Sequence, residues 1–507
     1  MLLSSLRWKL KRFTSNYLAQ TAEDHPIRLS YVFLRQSILI RLIWKYLTSF
    51  SEEWRDINTY IRKGGRFAKC KVSVKTNKVI NINHKFGDDG FFNLLKKAAQ
   101  KEIFYYTPIQ NRVFIVNNSL TSGGAERQIL YTIEGLQKSE LEIIFVGENL
   151  HSAGGFDFYL SQIVATGAKA MSLPRVSQPG KLIYQNVTPE IAAILSKMPP
   201  EIMLDILDMV SLLIRDRPAT LHLWQDETNV KYGLAGIIAG VPRIILSTRN
   251  LNPSHFSYNQ TYFREGYLAL ISEPNITMSA NSYIGAKSYA DWLKVPKLHI
   301  EVIHNGMPSN LWKPPSVTAR KDVFKQLGWT ENASLILGVF RLSPEKNPIL
   351  WLNVCAKIKE IRPEIKFLCV GQGLMKSAIY AQAKALKLGN NFKHLSSSKQ
   401  IANLMTASDL FLLTSAQEGT PNVILEAQFY GIPIVTTNAG GVSEILAPHR
   451  DTHLTQSDDP SVLAKTVLAA LDMKSERASR KKICQAYLQK YFSNYKMCTS
   501  TRKLYNF

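Results

Sequence analysis

The chain has 507 residues, of which 45% are hydrophobic, and its formal net charge is +23. A chain of this length is too long for one core and predicts two or three domains, each with its own. Runs of about 18 uncharged apolar residues are absent, which argues against a membrane-spanning helix. Five cysteines without C-x-x-C spacing favour neither a disulfide framework nor a zinc site.

Positive charge is concentrated at both ends of the chain. Residues 1–110 contain 20 Lys and Arg against 8 Asp and Glu, a net charge of +12, and the tail from Lys474 is also basic. Residues 31–50 mix large apolar side chains with spaced cations, as an interfacial membrane helix does. A helix packed on its own domain is the alternative. Because no recognised nucleic-acid motif occurs, we expect an anionic membrane surface as a partner and no nucleic acid.

The first 13 residues lack the apolar stretch and the small-residue cleavage site of a signal peptide. We therefore expect a cytoplasmic protein, peripheral at the inner face of the membrane. Residues 1–108 are predicted to form a basic, mainly helical extension.

From residue 109 onwards, short apolar strands alternate with helical segments. The predicted strands are 113–116, 141–146, 219–224, 244–246, 276–280 and 300–303, and a helix is predicted over 125–136. This alternation is typical of a doubly wound parallel sheet, which we assign to residues 109–312 as a Rossmann-like domain.

A small-residue turn follows the first of these strands. It contains Gly123 and Gly124 directly before the helix, where backbone without Cβ lets a phosphate or a sugar approach closely. Glu126 and Arg127 follow and are expected to anchor the helix. A Gly-Gly turn alone has low specificity.

Polar residues after later strands are candidates for a cleft. His222 and Asp226, on and directly after the strand 219–224, are two of them. Arg249 and Asn250, after the next strand, are expected to shape the acceptor pocket.

The pair Asn305-Gly306 follows the strand 300–303. One of the two residues is expected to adopt a positive φ angle, and we assign the pair a hinge or cleft-lining role. The segment 313–316, Lys-Pro-Pro-Ser, marks the junction to the next domain.

A second alternating unit covers residues 313–474. Its predicted strands are 335–340, 367–370, 410–413 and 434–436, with a helix over 349–361. Two such doubly wound α/β domains would face each other across a cleft. The remaining residues, 475–507, are predicted to contain a helix over 475–492.

Two cations, Arg341 and Lys346, lie in the loop after the first strand of this second domain. Fixed cations would stabilise a leaving diphosphate preferentially in the transition state. No Asp-x-Asp motif occurs around this site, so we expect neither a metal ion nor a cofactor. Gly371 and Gly373, after the next strand, are weaker candidates for contacts to the nucleotide.

The most informative segment is 415–436, SAQEGTPNVILEAQFYGIPIVT. Its composition predicts a tight turn after the strand 410–413 and then a helix over 422–430. The free backbone N–H groups at the start of this helix favour an anion such as a diphosphate. Glu418 and Glu426 could accept hydrogen bonds from hydroxyls on either side of it. Alternatively, one glutamate is a solvated loop charge and the other complements the helix dipole.

The segment EGTPNVILEA, followed by GIPIVTTNAGGVSEIL, resembles the E-x7-E region of retaining glycosyltransferases of family 4, which have the GT-B fold. GGAERQ resembles the loop after the first strand of those enzymes, and residues 338–347 resemble their G-R-L-x-x-x-K segment. The resemblance spans residues 113–446, about two thirds of the chain.

The resemblance implies an acceptor domain over residues 109–312, a donor-binding domain over 313–474, and a C-terminal helix and tail over 475–507 that cross back to the first domain. It also implies roles for individual residues. Glu418 would contact the donor sugar, Glu426 would hold the ribose hydroxyls, and Arg341 and Lys346 would contact the diphosphate. Many family members place a cleft histidine where this chain has Trp224, and His222 matches a position that is more often structural. His222 is therefore expected to be buried and structural, and Asp226 becomes the better candidate for orienting the acceptor or the anomeric carbon. The catalytic residues implied are Glu418, Arg341, Lys346 and Asp226. The donor-binding residues implied are Gly123, Gly124, Gly371, Gly373, Thr420, Pro421, Asn422, Val423 and Glu426.

The expected function is that of a retaining, metal-independent glycosyltransferase. It would move a hexose or N-acetylhexosamine from a nucleoside diphosphate sugar, with a UDP-sugar favoured, to a lipid-linked or surface polysaccharide acceptor. One alternative keeps the GT-B fold but makes the chain a nucleotide-sugar epimerase. The other is a non-catalytic basic scaffold that binds membranes.

Overall fold

The structure is a computed structural model. It describes residues 106–137, 139–175, 189–195, 200–308, 316–398, 400–449, 452–473 and 476–505. All but the last three residues of the extension predicted over 1–108, and most of the junction at 313–316, lie outside the described residues. Among the described residues, no helix has both the length and the hydropathy that crossing a bilayer requires.

The first domain is built on a parallel sheet with the strand order β3-β2-β1-β4-β5-β6-β7. All seven residues of its central strand β4 are buried, as expected for a parallel sheet covered on both faces. The strands are β1 (Ile109–Asn117), β2 (Glu142–Gly147), β3 (Lys169–Ser172), β4 (Pro218–Trp224), β5 (Arg243–Thr248), β6 (Ile276–Ala280) and β7 (Ile300–Val302). The helices are α1 (Gly124–Leu136), α2 (Leu160–Ala165), α3 (Pro189–Leu195), α4 (Pro200–Asp216), α5 (Asp226–Ala239), α6 (Phe263–Leu270) and α7 (Tyr283–Leu293).

The second domain is built on a second parallel sheet, with the strand order β10-β9-β8-β11-β12-β13. Its strands are β8 (Leu335–Val339), β9 (Lys366–Val370), β10 (Phe392–Leu395), β11 (Leu410–Leu413), β12 (Ile434–Thr437) and β13 (Thr452–Thr455). Its helices are α8 (Ala319–Leu327), α9 (Pro348–Ile361), α10 (Lys376–Ala385), α11 (Ile401–Ala407), α12 (Asn422–Phe429), α13 (Val442–Ile445) and α14 (Pro460–Asp472).

The prediction of two doubly wound α/β domains is confirmed, and the strands that the sequence analysis missed share one property. β3, β10 and β13 each lie at the edge of a sheet and have four residues, none of them fully buried. An edge strand needs no continuous apolar run, so its sequence gives a weak pattern.

In each sheet, the direction in which successive strands are added reverses at one point. The reversal lies between β1 and β4 in the first sheet and between β8 and β11 in the second. At such a point, the loops beyond the carboxyl ends of the strands diverge to opposite faces and leave a crevice in which ligands bind. Each domain therefore contributes one crevice, and the residues of interest are those that follow β1, β4, β8 and β11.

The end of the chain forms two helices where one was predicted. Helix α15 (Arg477–Tyr491) packs beside α12, and the Arg480 guanidinium donates to the Gly431 carbonyl at 2.7 Å. Helix α16 (Asn494–Leu504) lies against α1 of the first domain. A Cβ atom at Gly135 of α1 would lie 2.3 Å from the Cys498 sulfur, so this close helix contact requires glycine.

His222 joins this last helix to the centre of the first sheet. It is buried on β4, with Nδ1 2.7 Å from the Tyr505 hydroxyl and Nε2 2.7 Å from the Ser247 hydroxyl. The expectation of a buried, structural His222 is therefore confirmed. Burial, with a smaller contribution from the Arg249 charge, lowers the pKa of His222 to about 3.

This lowered pKa makes the stability of the fold depend on pH. The unfolded chain binds a proton at His222 near pH 6.5 and the folded chain only near pH 3, so the stabilisation is complete above pH 6.5 and is lost as the pH falls towards 3. His222 should contribute a slope of about 1.4 kcal/mol per pH unit to the free energy of unfolding in that range. This slope is measured by urea unfolding at several pH values between about 5 and 7.5.

His222→Asn should reduce this slope. His299→Asn is the control, because the His299 side chain is 79% exposed, and it should leave the slope as in the wild type. Equal slopes in all three proteins would contradict the assignment.

Candidate functional site

The loops after β11 and β12 of the second domain contact the loops after β6 and β7 of the first. The Thr420 hydroxyl donates to the Asn281 carbonyl at 2.6 Å, and the Asn305 amide donates to the Thr420 carbonyl at 2.9 Å. The Glu444 carboxylate accepts from the backbone N–H groups of Tyr283 at 2.8 Å and Ile284 at 2.7 Å. A carboxylate of one domain thus caps the first turn of helix α7 in the other.

Asn422, the first residue of α12, is the centre of these contacts. Its Oδ1 atom accepts from the Asn305 amide at 2.8 Å and from the Gln128 amide at 3.1 Å, and its Nδ2 atom donates to the Gly124 carbonyl at 3.1 Å. A Cβ atom at Gly124 would lie 3.1 Å from Asn422 Nδ2. The glycine turn of the first domain therefore lies directly against the start of α12.

The expectation of a positive φ angle at Asn305 or Gly306 is wrong, because neither residue has one. The Asn305 side chain is fixed by hydrogen bonds, including one accepted from Arg249. At Gly306, a Cβ atom would lie 2.9 Å from the Asn494 side-chain oxygen. Glycine is needed at position 306 because α16 approaches the backbone closely there. The backbone conformation itself does not require a residue with a positive φ angle.

Glu418 and Lys346 form an ion pair within the second domain. Lys346 Nζ lies 2.6 Å from Glu418 Oε2, and the Ser415 hydroxyl donates to Glu418 Oε1 at 2.7 Å. The Ala416 N–H also donates to the Glu345 carbonyl at 2.8 Å, which ties the loop after β11 to the loop after β8. Two segments that are distant in the sequence thus present one carboxylate and one ammonium group beside the start of α12.

Arg341 lies on the same loop as Lys346 but is more exposed. Its side chain is 65% exposed, and Nη2 lies 2.7 Å from the Glu345 carboxylate. Both predicted cations therefore have a carboxylate partner within the second domain.

Gly371 and Gly373 allow the loop after β9 to lie against the loop that contains Arg341. Both have a φ angle of +155°, and Cβ atoms there would lie 1.9 Å from the Phe340 carbonyl oxygen and 2.2 Å from that of Leu342. Their observed role is this close backbone contact, and a contact to a nucleotide stays a prediction.

Glu426 is paired with an arginine of the other domain. Arg127 Nη2 lies 2.5 Å from Glu426 Oε1, and the Glu426 side chain is only 4% exposed. Burial raises the pKa of Glu426, and the Arg127 charge opposes that shift. The expectation that Arg127 anchors its own helix is wrong, because α1 directs this side chain across the domain boundary to α12.

Asp226 begins α5 in the core of the first domain. Its Oδ1 atom accepts from the Tyr267 hydroxyl at 2.8 Å and the Tyr289 hydroxyl at 2.5 Å. Burial raises the pKa of Asp226 to about 6, although these two hydrogen bonds lower it. A catalytic role for Asp226 stays a prediction.

The remaining predicted residues lie close to these groups. Pro421 is the buried residue that precedes α12, and Val423 is half-buried in its first turn. Gly123 directly precedes α1, where a Cβ atom would lie 2.1 Å from the Glu126 carboxylate. In the part of the chain that the structure describes, no group of three or more His, Cys, Asp or Glu side chains is placed to hold a metal ion.

Sequence analysis missed several residues of this region, namely Gln128, Asn281, Ser415 and Glu444. The hydrogen bonds of Gln128, Asn281 and Glu444 join segments that are distant in the sequence, whereas Ser415 bonds to Glu418 in its own loop. No local pattern in the sequence marks any of the four as a site residue.

Comparison with known proteins agrees with this architecture. Residues 319–486 match the family model of glycosyl transferases group 1. The Vi polysaccharide biosynthesis protein VipC/TviE of Salmonella typhi is 30% identical over 350 residues, which cover 66% of this chain and 60% of that protein. The UDP-Gal:alpha-D-GlcNAc-diphosphoundecaprenol alpha-1,3-galactosyltransferase of Escherichia coli is 25% identical over 276 residues, covering 54% of this chain and 71% of that enzyme.

Among solved structures, Anabaena Alr3699/HepE in complex with UDP and glucose is similar with a TM-score of 0.62 and 21% identity. The match covers 77% of this chain and 98% of that one. The two domains have the GT-B architecture.

The ion pair between Arg127 and Glu426 should stabilise the contact between the domains. Arg127→Ala would leave a buried carboxylate without its cation and should lower the free energy of unfolding by about 3 kcal/mol. Urea unfolding measures this loss, and adding Glu426→Ala should recover part of it, because the two changes are coupled.

The control is Lys287→Ala, which breaks an exposed pair with Asp291 and should cost less than about 1 kcal/mol. A cost for Arg127→Ala no larger than that of the control would show that the buried pair contributes little.

Proposed function

We propose that this chain is a retaining glycosyltransferase of family 4. It would move a hexose or N-acetylhexosamine from a nucleoside diphosphate sugar, with a UDP-sugar favoured, to a lipid-linked or surface polysaccharide acceptor. The observation that supports this most is the convergence of Glu418, Lys346 and the start of α12 beside the glycine turn of the first domain.

In this proposal, the donor diphosphate lies at the start of α12. The backbone N–H groups of its first turn, at Asn422 and Val423, are donors beside the positive end of the helix dipole. Lys346 and Arg341 lie on the neighbouring loop. As the glycosidic bond breaks, the departing diphosphate gains negative charge, and these fixed groups stabilise it more in the transition state than in the ground state.

Glu418 would accept hydrogen bonds from the hydroxyls of the donor sugar. The Ser415 hydroxyl and the Lys346 ammonium hold its two carboxylate oxygens at 2.7 Å and 2.6 Å, so its orientation is fixed before the sugar binds. Such preorganisation reduces the free-energy cost of ordering the site during the reaction.

Glu426 would hold the ribose hydroxyls. Because Arg127 already pairs with this carboxylate, the ribose either shares Glu426 with Arg127 or displaces it. The chain thus has a contact between its domains at the position proposed for the ribose.

Retention would proceed by attack of the acceptor on the same face from which the nucleotide leaves, with the departing phosphate accepting the acceptor's proton. Neither a metal ion nor a protein base is required for that step. Asp226 would orient the acceptor or the anomeric carbon, with Tyr267 and Tyr289 holding its carboxylate.

The acceptor class that we propose is based on the names of two similar proteins. The name of the Escherichia coli relative describes transfer to a diphosphoundecaprenol-linked sugar, and that of the Salmonella typhi relative describes polysaccharide biosynthesis. Together with the basic ends of the chain, these names support a cytoplasmic enzyme that works at an anionic membrane surface.

Single substitutions in the site test this proposal. Glu418→Ala and Lys346→Ala should each lower the rate of UDP release from UDP-sugars about 100-fold or more, because each removes a group that acts on the reacting diphosphate sugar. Lys357→Ala, which removes an exposed lysine of α9, is the control and should keep the wild-type rate.

The rates are measured over a panel of UDP- and GDP-sugars with a lipid-linked acceptor. Wild-type turnover in both Glu418→Ala and Lys346→Ala would refute the site, and a new sugar nucleotide formed without acceptor would indicate an epimerase instead.

A further inference from the structure

Arg249 lies in the loop after β5 with its guanidinium stacked on the indole of Trp224. The Arg249 Cζ atom lies 4.3 Å from the centre of the Trp224 ring. Arginine stacks on aromatic faces in this way while its N–H groups, which lie in the guanidinium plane, remain able to donate. Trp224 therefore fixes the plane of the guanidinium without neutralising its charge.

The hydrogen bonds of Arg249 leave part of its guanidinium without an acceptor. One of its terminal nitrogens donates to the Asn305 side-chain oxygen, and its Nε atom is buried with no hydrogen-bond acceptor. Within the described ranges, no carboxylate forms an ion pair with Arg249, and burial lowers its pKa to about 9. Arg249 nevertheless stays charged at neutral pH.

The other cations near the start of α12 differ in this respect. Lys346 pairs with Glu418, Arg127 pairs with Glu426, and Arg341 pairs with Glu345. A cation that is partly withdrawn from water without an opposite charge is costly. An anion that reached Arg249 would offset this cost. The guanidinium geometry suits a phosphate, whose oxygens accept two parallel N–H groups.

The position of Arg249 relative to the start of α12 indicates which anion it would bind. Asn305, which accepts from Arg249, also donates to the Thr420 carbonyl and to Asn422 Oδ1, so one side chain separates the guanidinium from the start of α12. A Cβ atom at Gly419 would lie 2.6 Å from the Arg249 carbonyl oxygen, which places the two loops in contact.

We propose that Arg249 binds the diphosphate of the donor nucleotide from the first domain, across the cleft from Lys346 and Arg341. This inference rests on the proposed function and assigns Arg249 to the donor, whereas the sequence favoured the acceptor pocket. A diphosphate held by both domains would bind best when the cleft is closed. Trp224, at the position where a histidine was expected, would serve as the platform that positions Arg249.

Titration calorimetry with UDP, GDP, inorganic pyrophosphate and uridine tests this role. Arg249→Gln should weaken the binding of pyrophosphate and of the nucleoside diphosphate by about 10-fold or more, because a charge-assisted contact is lost. It should not change the binding of uridine, which has no phosphate. Arg249→Lys keeps the charge but loses the planar guanidinium. Its affinity for pyrophosphate should therefore lie between that of the wild type and that of Arg249→Gln.

The matched control is Arg243→Gln. Arg243 begins the same strand at its opposite end, where it donates to the Tyr505 carbonyl, so this variant loses the same charge far from α12. Its affinity for pyrophosphate should equal that of the wild type.

Each outcome decides between the alternatives. Unchanged binding of UDP, GDP and pyrophosphate by Arg249→Gln would overturn the inference and leave the proposed function standing, as would an increase in the acceptor KM alone. If Arg249→Gln does not fold, Arg249→Lys decides, and wild-type affinity for pyrophosphate in that variant would overturn the inference. A wild-type protein that binds no nucleoside diphosphate and no pyrophosphate would overturn both.

Discussion

The contact between the two domains at the first residue of α12 sets the geometry of the whole cleft. The Asn422 side chain uses its amide nitrogen and its oxygen to bind Gly124, Gln128 and Asn305, all from the first domain. These contacts hold the glycine turn after β1 against the start of α12, beside the Glu418 loop after β11 and, through Asn305, near the guanidinium of Arg249. One polar side chain at a helix end therefore defines a common site from two independent sheets.

The charges around this contact are arranged asymmetrically. Lys346 and Arg341 have carboxylates from their own domain, whereas Arg127 supplies its charge across the boundary to Glu426. In the proposed function, a bound nucleotide would compete with the ion pair at Glu426, whereas Arg249 has no ion pair among the described residues that the nucleotide would have to displace. Binding energy from the diphosphate could thus offset the loss of the ion pair near the ribose, which links the affinity of the site to the closure of the cleft.

Local signals in the sequence were sufficient to predict the strand, turn and helix from β11 to α12. The buried strand, the tight turn and the start of the helix are close neighbours in the sequence, and the strand 410–413 and the start of the helix at Asn422 were observed as predicted. The pairing of Arg127 with Glu426 could not be predicted in this way. It depends on a contact between domains that brings Gly124 and Asn422 together although they are 298 residues apart. Likewise, the stacking of Arg249 on Trp224 follows from the register of β4 and β5, which neither segment encodes alone.

The way in which the tail returns to the first domain also restricts how the cleft can open. Between α15 and α16, the Phe492 carbonyl accepts from the Met307 N–H at 2.8 Å, and the Asn494 N–H donates to the Met307 carbonyl at 3.0 Å. The chain leaving the first domain and the chain coming back thus run side by side as a short parallel bridge. A single connection would allow the domains to swivel in any direction, but two connections bonded to each other bend together. Opening should therefore be a hinge rotation of one domain relative to the other about this bridge. The largest displacement should occur at the rim of the cleft that lies farthest from the bridge.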